Sequence, residues 1–300
     1  MNYKGYGKPD FLLPGFPKCG TTWLYHRLNE LPDFDMPPHK ELHFFSRENK
    51  YSNGEAGKTY NKFFNRKRLI RNFKISGLNF FRIFIRFYES NDITYLKLFN
   101  KFEGLTGDIT PTYAMISDEV VKKMSEFLPD VKLIFVIRDP IERAWSQFRM
   151  HLREQNQSLE NYGLNETLNF LKDDLQIRRG KYLQSIDRYT NFFQNSPIIL
   201  IYYDLLKEDP NCFLKILVSF LGGNPNSVKK LSTLNKKSNV SVKEKMPKQI
   251  FDHLKDQYFS EIKNLANRYE GYSRSWYKKY YNTSEDREEN ISLNKYLILN

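Results

Sequence analysis

Short apolar runs alternate with amphipathic stretches along most of this chain. Three runs are almost wholly apolar and predict buried strands at 11–13, 132–137 and 197–202. The spacing of apolar residues predicts helices at 21–31, 117–127, 141–154, 164–176, 181–194 and 210–221. Strands that alternate with helices favour a parallel sheet covered on both faces. The predicted fold class is therefore α/β, with a P-loop-like parallel β-sheet flanked by helices.

Two regions depart from this alternation. The segment 63–88 contains seven Lys or Arg residues and eight aromatic residues but no acidic residue. Such a basic, aromatic-rich helical insertion fits contact with an acidic polymer or a membrane surface, although packing of its aromatics on the main domain is the favoured alternative. The residues from about 282 to 300 predict a polar tail, and the part from Glu285 to Asn290 is expected to be loosely held. We expect one domain over 1–300, with an insertion at about 50–100.

Composition narrows the class of protein. With 300 residues, 40% of them hydrophobic, the chain can bury a substantial core and is not a disordered polymer. A formal net charge of +12 favours acidic partners such as nucleotides, nucleic acid, acidic glycans or an anionic membrane. Two cysteines provide neither a disulfide framework nor a zinc site. Neither a signal-peptide core nor an apolar run of about 18 residues is found, so a cytoplasmic protein is expected.

A glycine loop follows the first predicted strand. Strand, glycine loop and helix together direct backbone N–H groups and a helix dipole at a phosphate. Gly15 and Gly20 have the spacing of a nucleotide-triphosphatase P-loop, but that pattern requires lysine directly after the second glycine. Here Thr21 follows, and the lysine, Lys18, lies inside the loop. A glycine loop alone is a weak signal, and Lys18, Thr21 and Thr22 strengthen it by adding a cation and two hydroxyls.

Two neighbours of these residues are open to more than one interpretation. Trp23 fits either a ring beside a bound nucleotide or a core tryptophan. Cys19 fits a small loop filler better than a nucleophile, since no partner for it is recognisable in the sequence.

A second group of candidates lies in the stretch PPHKELHFF. Glu41 and His43 are two residues apart, so in an extended chain they share a face. Either side chain could act as a general base if it lies within hydrogen-bond reach of the substrate. The alternative is an ion pair between Glu41 and Lys40.

A third group follows the second predicted strand. Arg138 comes at its carboxyl end, where open α/β sheets bind ligands. Arg143 and Ser146 are three residues apart on the next helix and can face the same way, as phosphate binding requires. For Arg143 alone, pairing with Asp139 or Glu142 is the simpler account.

Together these motifs resemble a known family. The stretches PGFPKCGTTWLY, PPHKELHFF, GDITPTYA, FVIRDPIERAWSQF and RRGKYLQSIDRY occur in this order. In this order they are similar to sulfotransferases that use 3′-phosphoadenosine 5′-phosphosulfate (PAPS), and most similar to the group containing the heparan sulfate N- and O-sulfotransferases and their bacterial relatives. The resemblance runs from about residue 10 to 280 and leaves 63–88 outside.

The resemblance implies a sulfuryl transfer to a hydroxyl or amine by in-line displacement. Lys18 corresponds to the lysine that contacts the oxygen bridging phosphorus and sulfur, where negative charge develops. Glu41 corresponds to the general base, which a raised pKa would suit, and His43 is the second choice. Some relatives carry a histidine where this chain has Met150, so the neighbouring His151 is left out of the chemistry. No metal is required.

The remaining roles also come from the resemblance. The donor would be held by loop residues Pro17, Lys18, Cys19, Gly20, Thr21, Thr22 and Trp23, with Arg138 and Ser146 on its 3′-phosphate. Tyr182 would lie on the adenine side, and a basic loop with Lys236 or Lys237 would close over the 3′-phosphate. Asp108 and Tyr113 would line the acceptor cleft. A glycan, a lipid headgroup or a small metabolite all remain open as the acceptor.

Two other functions compete with a sulfotransferase. A P-loop kinase or NTPase would need lysine after Gly20 and an aspartate ending the second strand; Asp139 resembles the latter, but Arg138 intervenes. A basic nucleic-acid-binding protein would account for the charge, but the sequence carries no known nucleic-acid motif. Nucleic acid is therefore not an expected partner.

Overall fold

The structure is a computed structural model that describes residues 5–38, 40–47, 92–100, 102–235, 244–281 and 294–299. Three of the expectations above lie outside these residues. They are the basic insertion 63–88, the two lysines Lys236 and Lys237, and the part of the tail at 282–293.

A five-stranded sheet forms the centre of the described fold, in the order β2-β1-β3-β4-β5. Its strands are β1 Phe11–Gly15, β2 Gly107–Ile109, β3 Lys132–Ile137, β4 Ile198–Tyr202 and β5 Tyr296–Ile298. The first four are parallel, whereas β5 runs antiparallel to β4. The predicted α/β class is confirmed, and the sheet is mixed rather than wholly parallel.

Helices cover this sheet. They are α1 Thr21–Leu28, α2 Asp92–Lys97, α3 Asp118–Phe127, α4 Pro140–Glu154, α5 Leu159–Tyr162, α6 Leu164–Lys172, α7 Asp174–Arg178, α8 Tyr182–Phe192, α9 Tyr203–Glu208, α10 Pro210–Leu221, α11 Lys248–Gln257, α12 Phe259–Tyr269 and α13 Gly271–Tyr281. The helix expected at 164–176 is divided between α6 and α7. Asp173 causes the break, because its side chain accepts a hydrogen bond from the Leu175 N–H and so begins a new helix.

The sequence pattern does not predict two of the strands, β2 and β5. β2 has only three residues, and two of them, Gly107 and Asp108, are poor strand formers. Gly107 is needed there because a Cβ atom would lie 2.5 Å from the Phe11 ring. β5 lies within the polar tail, where backbone pairing with β4 orders it. The residues expected to be loosely held, 285–290, lie outside the described ranges.

The sheet order reverses beside β1. The chain passes from β1 to β2 on one side and then to β3 on the other. The carboxyl ends of β1 and β3 therefore border a crevice at a topological switch point, where α/β sheets of this order bind ligands. Both strands are buried along nearly their full length, so this edge rests on a rigid core.

Candidate active site

Three groups of predicted site residues meet at the carboxyl edge of the sheet. The glycine loop follows β1 directly, and Arg138 follows β3 directly. Glu41 is brought to the same edge because its backbone N–H donates to the Ile109 carbonyl, 3.1 Å away at the end of β2. Segments about a hundred residues apart in sequence therefore border one crevice.

The loop after β1 has the backbone geometry of an anion cradle. Gly20 precedes α1 with a φ of 83°, and Lys18 also has a positive φ, of 72°. A Cβ atom on Gly20 would lie 2.7 Å from Leu206 and 3.1 Å from the Tyr203 ring, so the loop is pressed against α9. Gly20 has no side chain to cap α1, which leaves the first N–H groups of this helix available to an anion.

Cations surround this loop. The Lys18 ammonium is 3.2 Å from the Met150 sulfur on α4. Burial, followed by the positive charges of Arg153, Arg138 and Arg149, lowers the pKa of Lys18 to about 8. Glu154 acts in the opposite direction on Lys18, and Glu142 pairs with Arg138. These two carboxylates are fewer than the four cations, so the loop favours an anionic ligand.

Arg138 links the loop to α4. Its guanidinium donates to the Lys18 carbonyl at 3.3 Å and to the Glu142 carboxylate at 3.3 Å, and it stacks over the Tyr203 ring. Its Nε atom has no hydrogen-bond partner in the described part of the chain. Ser146 lies two turns into α4 and is also buried. The loop, the guanidinium and the start of α4 therefore lie at the carboxyl ends of β1 and β3, and the binding of a phosphorylated nucleotide there stays a prediction.

Glu41 and His43 form a contact pair. Both have positive φ values, 65° and 56°, so this stretch is not the extended chain that the sequence suggested. Their side chains still meet, with His43 Nε2 3.5 Å from a Glu41 carboxylate oxygen. The His43 Nδ1 atom lies 3.2 Å from both the Ser46 and Thr112 hydroxyls. The alternative of a Lys40–Glu41 ion pair is realised as well.

The electrostatics of Glu41 differ from the expectation. Burial alone would raise its pKa, but the contacts with His43 and Lys40 prevail and lower the pKa to about 2. The carboxyl is therefore ionised throughout the neutral range, and it is a weak proton acceptor.

Asp108 and Tyr113 do not line a cleft. Both are wholly buried, and the Tyr113 hydroxyl donates to the Asp108 carboxylate at 2.8 Å. Thr110 and Tyr95 donate to the same carboxylate, at 2.6 and 3.3 Å. The Thr110 hydroxyl also accepts from the His43 backbone N–H at 3.4 Å. These residues therefore support the Glu41–His43 stretch from inside, because a side chain with no accessible surface cannot touch an acceptor.

Three residues predicted to hold the donor are interior in this structure. Tyr182 is wholly buried, donates to the Arg138 carbonyl at 2.8 Å, and packs on the Phe16 ring. Cys19 is also wholly buried, and burial raises the pKa of its thiol to about 12, as a loop filler requires. The Trp23 indole N–H donates to the Leu234 carbonyl at 3.2 Å, so this ring is a core tryptophan.

Two expectations about α4 had different outcomes. The pairing of Arg143 with Asp139 or Glu142 is wrong, because the Arg143 guanidinium donates to the Gln176 carbonyl at 3.0 Å instead. His151 stacks on Phe170 with ring centroids 4.6 Å apart, and its absence from the chemistry stays a prediction.

Sequence reasoning missed Arg149 and Arg153. They lie three and seven residues after Ser146, so helical spacing places them on the same face of α4. That spacing was the available signal. It was weak, because arginines at such intervals are also common on solvated helix faces.

Among the described residues, every helix is too short or too polar to span a bilayer. Within the same ranges, three or more His, Cys, Asp or Glu side chains nowhere gather as a metal site would need.

Fold and site define a class of protein. A P-loop-like α/β domain with a cation-lined loop, and with a carboxylate–imidazole pair at the same sheet edge, is an arrangement that fits a transferase. The chain belongs to the sulfotransferase family, since the family model described as "Sulfotransferase domain" matches residues 8–280.

Curated relatives agree with this assignment. The chain is 25% identical over 232 residues to the mouse bifunctional heparan sulfate N-deacetylase/N-sulfotransferase 4, covering 73% of this chain and 23% of that protein. It is 26% identical over 145 residues to the membrane-associated sulfotransferase kil1 of Dictyostelium discoideum, covering 48% of this chain and 23% of that protein. The chain thus spans under a quarter of the length of these relatives.

A solved structure shares the fold. The crystal structure of a sulfotransferase from Alicyclobacillus acidocaldarius superimposes with a TM-score of 0.60 at 21% sequence identity. The match covers 87% of this chain and 95% of the other.

Proposed function

We propose that this protein transfers a sulfuryl group from PAPS to a hydroxyl or amine. The observation that carries the proposal is the position of Lys18, which lies inside the anion loop among three arginines instead of directly after the second glycine. A triphosphatase uses the lysine after that glycine on β- and γ-phosphates. A lysine within the loop suits a donor that has a single 5′-phosphate and a sulfuryl group.

The donor supplies an activated sulfuryl group, and this chain's residues stabilise the leaving bisphosphate. The bond between sulfur and the bridging oxygen breaks as a bond from sulfur to the acceptor oxygen or nitrogen forms. Lys18 faces the charge that develops on the bridging oxygen, and the N–H groups at the start of α1 hold the 5′-phosphate. Arg138 and Ser146 bind the 3′-phosphate, and the partnerless Arg138 Nε supports this role. Contacts from Lys236 or Lys237 stay predictions.

The acceptor's proton passes to the Glu41–His43 pair. The low pKa of Glu41 argues against this carboxylate as the final proton acceptor. Histidine is the side chain whose charge ordinarily changes near neutral pH. We therefore reverse the order suggested by the sequence: His43 takes the proton, and Glu41 orients its ring and stabilises the imidazolium.

Donor binding tests the nucleotide part of the proposal. Adenosine 3′,5′-bisphosphate, the desulfated donor, is expected to raise the melting temperature, because a ligand at a hundred times its Kd adds about 2.7 kcal/mol to stability. The matched control is adenosine 2′,5′-bisphosphate, which moves one phosphate and should stabilise less. Stronger stabilisation by ATP with Mg²⁺ would favour the kinase alternative instead.

Transfer of ³⁵S from labelled PAPS tests the reaction. The mouse relative is a bifunctional heparan sulfate N-deacetylase/N-sulfotransferase, so the first acceptor to try is a glucosamine glycan with free amines. The same glycan after N-acetylation is its control, and label on both would indicate transfer to hydroxyls. Lipid headgroups and small metabolites complete the panel. The cytoplasmic location expected from the sequence stays a prediction.

A further inference from the structure

The two ring nitrogens of His43 face different kinds of group. Nε2 lies 3.5 Å from a carboxylate oxygen of Glu41. Nδ1 lies 3.2 Å from the hydroxyl of Thr112 and 3.2 Å from that of Ser46. Thr112 and Ser46 are both partly exposed, and Thr112 comes shortly after β2, at the carboxyl edge of the sheet. One nitrogen therefore meets a carboxylate, and the other meets hydroxyls that solvent can reach.

This division fixes the place of the proton on the neutral ring. A neutral imidazole has one nitrogen that donates and one that accepts, and their hydrogen-bond partners decide which is which. Burial raises the pKa of Glu41, but the contacts with His43 and Lys40 prevail and lower it to about 2, so this carboxylate is ionised and can only accept. A lone pair on Nε2 would be repelled by that charge. The proton therefore lies on Nε2, and the lone pair lies on Nδ1.

Of the two hydroxyls, that of Thr112 is the better donor to this lone pair. Each hydroxyl has a single proton. The Ser46 hydroxyl donates to the backbone carbonyl of His43 at 3.3 Å, and this contact uses the serine proton because a carbonyl can only accept. Thr112 can direct its proton at Nδ1 and still accept at its own oxygen. An incoming O–H or N–H group would therefore donate to the Thr112 oxygen, since the single lone pair of Nδ1 is already used.

We propose that Thr112 relays the proton of the sulfuryl acceptor to Nδ1 of His43. The proton of the acceptor passes to Thr112 Oγ1 as the Thr112 proton passes to Nδ1. In the same step the acceptor oxygen or nitrogen bonds to sulfur, and sulfur loses the bridging oxygen of the donor. Thr112 ends neutral, and His43 ends as an imidazolium whose Nε2–H faces Glu41. This inference rests on the proposed function, since it names the path of the proton in that reaction.

The protonated nitrogen can be identified in the ligand-free protein by NMR. In protein with ¹⁵N-labelled histidine, the signals of His43 are recognised among the five histidines by their loss from His43→Ala. When the pH is raised until the ring is neutral, we expect the proton on Nε2. In Thr112→Val, the Nδ1 signal should move towards that of a nitrogen without a hydrogen bond. A proton on Nδ1 in the wild type, or an Nδ1 signal unchanged by Thr112→Val, would overturn the inference.

Transfer rates test the relay itself, with ³⁵S-labelled PAPS and the acceptor panel above. Thr112→Val keeps the shape of the side chain and removes the hydroxyl, so kcat should fall at least about tenfold. Affinity for adenosine 3′,5′-bisphosphate should not change, because the hydroxyl acts on the acceptor. Thr112→Ser restores the hydroxyl and should restore most of kcat, whereas a merely structural role would be filled better by valine.

Thr190→Val is the matched control for this substitution. Thr190 is also partly exposed, and its hydroxyl donates to the Asp187 carbonyl within α8 at 3.0 Å. This variant loses a threonine hydroxyl that has no part in the proposed reaction, so its kcat should equal that of the wild type. Thr112→Ala repeats the main comparison if melting curves show that valine disturbs the fold.

The outcomes separate the inference from the function beneath it. A wild type that neither binds the bisphosphate nor labels any acceptor would remove the proposed function and the relay with it, whatever the NMR spectra show. Transfer by the wild type with an equal kcat in Thr112→Val would leave the function intact and overturn the relay. An equal loss of kcat in Thr112→Val and Thr112→Ser would also overturn it, since the hydroxyl would then not be the part of the side chain that matters.

Discussion

Lys18, Glu41 and His43 share an uncommon backbone conformation. Each has a positive φ, between 56° and 72°, although none is glycine. A non-glycine residue in this region costs about 1 to 3 kcal/mol and persists where the surrounding structure holds it. These are the three residues that the sequence named as candidates for catalysis. Strain stored at all three supports a role in positioning side chains rather than in folding.

The pKa of Lys18 predicts a pH dependence of ligand binding. Because the free lysine titrates near pH 8 and an anionic ligand favours its charged form, affinity for adenosine 3′,5′-bisphosphate should be full below that pH. It should fall by up to about tenfold per pH unit above it. Calorimetric titration from pH 7 to 9.5 measures this, with Lys18→Arg as the non-titrating control. Equal slopes for the two proteins would contradict it.

The roles of Glu41 and His43 can be separated by transfer rates. His43→Ala removes the proposed proton acceptor and should lower kcat by about 10²- to 10⁴-fold. Glu41→Gln keeps the shape and removes only the charge that stabilises the imidazolium, so we expect a smaller loss of kcat than in His43→Ala. Both variants should bind the bisphosphate as wild type does. Inactivity of Glu41→Gln beside an active His43→Ala would restore Glu41 as the base.

At the scale of elements, α4 does most to organise the site. Its start is set by Asp139, whose carboxylate accepts from the backbone N–H groups of Ile141 and Glu142 at 2.9 and 3.4 Å. The Tyr280 hydroxyl, from the last helix, donates to the same carboxylate. One buried carboxylate therefore joins the beginning of α4, directly after Arg138, to α13.

This cap predicts a pH dependence of stability. Burial raises the pKa of Asp139 to about 6, so between about pH 4 and 6 the folded state binds more protons than the unfolded state. The contribution of Asp139 to the free energy of unfolding therefore falls as pH rises through this range, by roughly 3 kcal/mol in total. Asp139→Asn retains a capping oxygen and should gain stability over wild type at pH 7 but not at pH 4, measured by urea unfolding.

Asp209→Asn is the control for this comparison. Asp209 caps α10 by accepting from the Cys212 N–H at 2.9 Å, and it is exposed to solvent. Asp209→Asn should leave the pH dependence of the free energy of unfolding unchanged. The same pH-dependent gain in both variants would argue against a special environment at Asp139.

Gly20 provides a test of the loop as an element. In Gly20→Ala the new methyl group would meet Leu206 and the Tyr203 ring in a backbone conformation with a φ of 83°. We expect a loss of about 1 to 3 kcal/mol, together with weaker bisphosphate binding. Gly5 has a similar φ, of 92°, but a methyl group there would meet nothing within 4 Å. The loss of stability in Gly5→Ala therefore measures only the cost of a positive φ in a residue other than glycine. An equal loss in both proteins would mean that packing against α9 is unimportant.

For the whole molecule, the sheet depends on residues far apart in the chain. β5 covers the edge of β4, and its two outward side chains, Tyr296 and Ile298, are 43% and 50% exposed. Without β5, the apolar strand β4 would present unpaired backbone groups to solvent.

Removal of residues 294–300 should therefore lower the melting temperature and promote self-association. Melting curves and size-exclusion chromatography at several concentrations measure the two effects. The control is the double variant Tyr296→Thr and Ile298→Thr, which keeps the backbone pairing and should change stability by less than about 0.5 kcal/mol per site. A truncated protein that melts and elutes as wild type does would contradict the proposal that β5 protects the edge of β4.

The amino-acid sequence by itself determined the strands β1, β3 and β4, the helices α1, α3, α4, α8 and α10, and the loop with Lys18. These features follow from local patterns: apolar runs, helical spacing and glycine placement each act within a few residues. The helix α10 ends at Leu221 as predicted, because Gly222 adopts the left-handed conformation that stops it.

Only the tertiary structure decided the rest, because it depends on contacts between distant segments. Pairing in the sheet makes strands of 107–109 and 296–298, which local preference does not favour. Docking on β2 brings Glu41 and His43 into contact at the crevice despite a strained backbone. Burial and neighbouring charges set the opposite protonation behaviour of Glu41 and Asp139, two carboxylates that look alike in the sequence.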